Sequence, residues 1–127
     1  MERRDGAWRF EYGTRDWTKA AGLAKAIEFR SQWSEAVIVA HYQELTAAFR
    51  AGYAQSGASA PVLGTGPVVS INTLAAETIC RELWDTHRVY IKGGDTGLRA
   101  SLAPWFEPEE LFGLGELLGR TVAKHNG

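Results

Sequence analysis

The chain has 127 residues, a formal net charge of −1 from 14 basic and 15 acidic side chains, and a single cysteine. The length suits one domain with a core of its own, and the balanced, intermixed charges lack the bulk field of a typical DNA-binding domain. One cysteine excludes an intramolecular disulfide and argues against a cysteine-built zinc site.

Five tryptophans, four tyrosines and five phenylalanines supply enough apolar area to offset the entropy of ordering, so a folded chain is expected. No apolar run reaches the roughly 18 residues of a membrane span, and none of signal-peptide length follows Met1-Glu2-Arg3-Arg4-Asp5. The expectation is a soluble, cytoplasmic protein.

Residues 1–13 read as an extended arm. Trp8, Phe10 and Tyr12 alternate with Arg9 and Glu11, a strand pattern with no neighbouring strand to pair with. The three aromatics are therefore assigned to an interface, with the helices or with a second subunit.

Thr14 or Asp16 can cap a helix that begins near Trp17. From Trp17 to Gln55 there is no proline, and Leu23, Ile27, Ile38, Leu45 and Phe49 share one helical face. Unbroken, this helix would span roughly 58 Å, whereas a compact chain of this size is only about 36 Å across. The spacing therefore predicts either a break at residues 31–34 or a projecting helix that finds a partner. Ile38, Tyr42, Leu45, Phe49 and Gly52 step by alternating fours and threes, a short heptad seam, which marks Leu45 and Phe49 as contact residues.

Residues 56–67, rich in glycine, proline and serine, form the one clear loop between helical blocks. Gly64-Thr65-Gly66 is no phosphate loop, because no Lys-Ser or Lys-Thr follows. Val68-Val69-Ser70-Ile71 fits a short strand or the run-in to the next helix, for which Asn72 is a suitable cap. Ala76, Ile79, Cys80, Leu83 and Trp84 make a helical face, and the spacing carries that helix through Tyr90 to Lys92, with Gly93-Gly94 as its stop. Asp95 can cap a short helix holding Leu98 and Leu102. A last helix opens at Pro108-Glu109-Glu110, where proline suits the first turn and the carboxylates suit the dipole. Gly115 and Gly119, one turn apart on it, form a smooth strip for the close approach of another backbone.

The fold class expected is mostly α: a small helical bundle in a single domain, 1–127, with one long N-terminal helix and the aromatic arm. For chemistry the residues offer little. His41, His87 and His125 are too far apart in sequence for a helical metal pair, and Cys80 lies on an apolar face. No catalytic set, metal site or cofactor is expected. The leading reading is a non-catalytic subunit that packs against a protein partner or itself. A second, a small-molecule-binding protein or enzyme, places a pocket between helices, walled by Trp33, Tyr42 and Trp84 with His41 and Arg30 as polar groups. A third uses Arg81, Arg88 and Lys92, at helical spacing with Arg99 close behind, to grip an anion or nucleic acid.

Overall fold

A computed structural model describes residues 16–126; the aromatic arm, with Trp8, Phe10 and Tyr12, lies outside the described residues. The described chain runs α1 (Trp17–Arg30), α2 (Glu35–Gln55), β1 (Val62–Leu63), β2 (Val68–Asn72), α3 (Ala76–His87), β3 (Lys92–Gly94), β4 (Gly97–Ser101) and α4 (Pro108–Asn126). Helices hold 59% of it, so it is mostly α, but a four-stranded antiparallel sheet of order β1-β2-β4-β3 accompanies them. Contacts divide the chain into two units, Met1–Ser34 and Glu35–Gly127.

In the first unit, Asp16 caps α1: its carboxylate accepts from the backbone N–H groups of Thr18 and Lys19 and from the Thr18 hydroxyl. These bonds, the Thr18 hydroxyl first, hold its carboxyl below the ordinary carboxylate value. The long helix does break at residues 31–34, without proline or glycine. The Ser31 hydroxyl donates to Glu28 O at 2.8 Å, and Gln32 and Trp33 N–H turn to Phe29 O and Arg30 O, a tightened final turn. Arg30 Nη1 donates to Trp33 O across the break, and the Phe29 and Trp33 rings meet edge-on at 4.8 Å. α1 buries none of its residues.

The second unit holds the core. α2 and α4 cross with their backbones in near contact. A Cβ on Gly52 would stand 1.9 Å from Phe112 O, and one on Gly115 would stand 2.1 Å from Phe49 O. The heptad seam of α2 is real, then, and the backbone that approaches Gly115 and Gly119 is α2 of the same chain. Val69, Ile71 and Leu98, alternating inward from β2 and β4, join Leu45, Phe49, Ile79, Leu83 and Val122 in one buried cluster. Arg50 binds the 56–67 loop to α2, donating to Val62 O at 2.8 Å and to Gly64 O.

Three expectations are corrected. Asn72 ends β2 and caps nothing; α3 opens at Ala76, after Thr73 Oγ1 accepts from Ala75 N–H. α3 stops at His87 rather than running to Lys92. Residues 92–101 form a hairpin, Gly94 paired with Gly97 around Asp95-Thr96, where a helix stop and a second short helix were expected. The competing signal is the β-branched and aromatic run Val89-Tyr90-Ile91 followed by a glycine-rich turn, which favours strands over a frayed helix.

Candidate functional site

The end of α3 at His87 opens the most site-like feature of the second unit. Arg88 closes that helix with φ = 57°, in the left-handed region where glycine is the usual occupant. Its N–H donates to Trp84 O, and Val89 N–H donates to Leu83 O. The chain then turns along residues 89–91 into the hairpin. Cys80 secures this passage: its thiol donates to Ile91 O at 3.3 Å, and burial raises its pKa. Gly93 lies close beneath, since a Cβ there would meet Cys80 Sγ at 3.0 Å.

Between this passage, β4 and α4 lies a cleft of about 560 Å³, within the size range of small-molecule sites. Its floor is apolar: Phe49, Leu83, Leu111, Leu114, Leu117 and Leu118, with Phe106 at one side. Its lining includes Arg88, Lys92 and Arg99, all exposed, together with Tyr90, and no carboxylate. Lys92 and Arg99 stand directly opposite each other across β3 and β4. They also line a shallower depression on the outer face of the sheet. Arg88 lies over the half-exposed ring of Trp84, 5.6 Å from its centroid. None of the three cations makes an ion pair with a described residue.

The anion-binding set read from the sequence is thus partly assembled, by a different route. Arg88 and Lys92 line the cleft with Arg99. Arg81 stays behind on α3, paired with Glu77 at 2.8 Å. Because α3 ends at His87, these residues are not one helical face.

The ligand pocket read from the sequence is distributed differently. Arg30 and Trp33 lie in the first unit; His41, Tyr42 and Trp84 lie in the second. None of the five lines the cleft. His41 is half-buried, with Nε2 2.8 Å from Pro104 O, so it ties α2 to the turn before α4. Tyr42 is half-buried on the seam, and its carbonyl accepts from the Thr46 hydroxyl. Of the residues assigned to an interface, Leu45, Phe49, Gly115 and Gly119 are buried within the second unit.

Two features escaped sequence reasoning. Glu82 on α3 accepts from Lys124 at 2.9 Å and from His125 at 2.7 Å, both at the end of α4. The Lys124 hydrogen bond, then that of His125, holds its carboxyl below the ordinary value. Tyr53 is 3% exposed, and its hydroxyl meets no partner. Burial accordingly pushes its pKa up. Only tertiary contact reveals either, so no local pattern announced them.

Among the described residues no cluster of histidine, cysteine or carboxylate side chains is suited to a metal ion, and no helix is long and apolar enough to cross a membrane. Compared with models of protein families, with curated proteins and with solved structures, the chain matches none.

Proposed function

We propose that the chain is a non-catalytic helical subunit that works by packing against other protein chains, a second copy of itself first among them. The observation that carries this reading is α1. This 14-residue helix buries nothing, and it exposes Leu23 by 62%, Ile27 by 59% and Phe29 by 62%. Isolated helices of that length are marginal in water. Contiguous apolar side chains left in solvent are the mark of a contact surface. Leu23 and Ile27 stand one turn apart on one side, with Lys25 opposite them and ion-paired to Glu28 at 2.6 Å, while Phe29 turns away from that face toward Trp33. That is the pattern of a helix with one face meant for a partner.

The break at residues 31–34 removes the length conflict, so helix length no longer argues for assembly. The exposed face of α1 does. A protein partner suits it better than nucleic acid, since Lys19, Lys25 and Arg30 on α1 are interspersed with apolar positions and with Glu28. A cytoplasmic setting agrees with the single cysteine.

The test is the mass in solution by light scattering over about 1–100 μM. The full chain should exceed the monomer mass. A Leu23→Glu/Ile27→Glu variant should fall to it and still unfold cooperatively, at a melting temperature that no longer depends on concentration, because no core residue belongs to α1. A monomeric mass for the unaltered chain throughout that range overturns self-packing.

A further inference from the structure

We infer that the cleft between the hairpin and α4 binds a free, single-chain acyl anion, its head group held by Arg88, Lys92 and Arg99 and its hydrocarbon tail on the leucine floor. The argument begins from two local irregularities that meet at one place. Arg88 holds a left-handed backbone conformation for which glycine is better suited. Lys92 and Arg99 are like charges directly opposite on neighbouring strands, a destabilising arrangement. Both stand at the same cleft, and neither is relieved by a carboxylate among the described residues. Departures from local rules that converge on a cavity are what a binding site looks like.

The chemistry of the cleft selects the ligand. Three cations that no carboxylate among the described residues neutralises call for one or two negative charges. Besides the three cations, the lining carries only the hydroxyls of Tyr90 and Ser101 as hydrogen-bonding side chains, so most of a bound molecule would face apolar groups. A volume near 560 Å³ takes a medium-length chain and excludes a folded partner. Nucleic acid would satisfy the cations but would leave the leucines uncovered. An α1 helix from a second copy is disfavoured by its own cations, Lys19, Lys25 and Arg30.

The experiment is isothermal titration calorimetry of the full chain with dodecanoate below its micelle concentration. One site per chain is expected, at least tenfold tighter than for octanoate, since each methylene moved out of water adds to affinity. Binding should weaken as salt is raised. Dodecanol and dodecyltrimethylammonium should bind at least tenfold more weakly than dodecanoate, and inorganic phosphate should not bind detectably. Arg88→Gly should keep the circular dichroism spectrum and melting temperature, because glycine takes the left-handed position without strain, yet lose tenfold or more in dodecanoate affinity. Arg99→Gln should show the same loss. Equal affinity for dodecanol, unchanged affinity in both variants, binding only of anionic vesicles, or preferential binding of a single-stranded oligonucleotide would each overturn the assignment. None of these readouts depends on the assembly state, so this inference and the packing role stand or fall separately.

Discussion

α1 and α2 come from one proline-free run of helix formers with apolar residues at the same spacing, yet they end differently. α2 buries Leu45, Thr46, Phe49, Gly52 and Tyr53; α1 buries nothing. The glycines show why. Gly22 in α1 has open space where a Cβ would stand, whereas Gly52 in α2 lies against the backbone of α4, which returns the contact through Gly115. Apolar periodicity says which face a helix can bury. Which face is buried within the second unit was decided by a matched pair of small residues that let two backbones meet.

Truncating equivalent leucines separates the two helices most strongly. Leu45→Ala should cost about 3 kcal/mol or more, through lost burial plus the cavity left behind. Leu23→Ala should stay within about 0.5 kcal/mol, as for other exposed positions. Urea unfolding of the two variants, measured where the chain is monomeric, decides it. Equal losses would mean that α1 belongs to the cooperative core after all.

The glycines give the next largest effect, with opposite signs. Gly52→Ala and Gly115→Ala each drive a methyl group into a carbonyl and should cost about 2–3 kcal/mol. Gly22→Ala meets nothing and should gain up to about 1 kcal/mol of helix stability. The same unfolding measurements, with helix content from circular dichroism, read both.

A smaller gain is expected inside the core. Tyr53 carries its hydroxyl unpartnered into the α2–α4 packing, so Tyr53→Phe removes a desolvated donor and should stabilise the chain by about 1 kcal/mol. A destabilised Phe variant would mean that the hydroxyl is hydrogen-bonded in solution.

The smallest effect distinguishes the two regions by pH. Glu82 bridges α3 to α4, whereas Asp16 acts locally, at the cap of α1. Both carboxyls are held below their ordinary values, so each contributes fully above them, near 4.5 for Glu82 and 3.8 for Asp16. Each contribution is lost as pH falls through the native value. Glu82→Gln should therefore lower the melting temperature slightly at neutral pH, with the difference from the unaltered chain vanishing in acid. A difference that persists at pH 2–3 would show that charge is not what the bridge contributes.

The helical part of the fold was largely legible in the sequence. Asp16, the break at 31–34, the heptad seam and Pro108-Glu109-Glu110 are local signals, and each marks what local physics dictates. Gly115 was legible as a place of close approach, but Gly52, 63 positions away, was read only as part of a seam, because a reciprocal contact has no local signature. The sheet was half hidden. Val68–Asn72 alternates, but Lys92-Gly93-Gly94-Asp95 satisfies the rules for a helix end as well as those for a hairpin. The cleft followed from that hidden hairpin. Arg88, Lys92 and Arg99 were visible as cations, while their common site depended on Arg88 turning left-handed, a conformation that sequence patterns assign to glycine.

Arg50 also acts at the rim of the sheet. β1, only two residues long, is an outer strand, and such rims invite strands from other chains to add on. The guanidinium of Arg50 already occupies the carbonyls of Val62, in β1, and of Gly64, just beyond it. An incoming strand would find those acceptors taken and a cation beside them. Arg50 is thus expected to hinder strand addition at this edge, and an Arg50→Ala chain should seed thioflavin-positive aggregates on prolonged incubation under conditions where the unaltered chain stays clear.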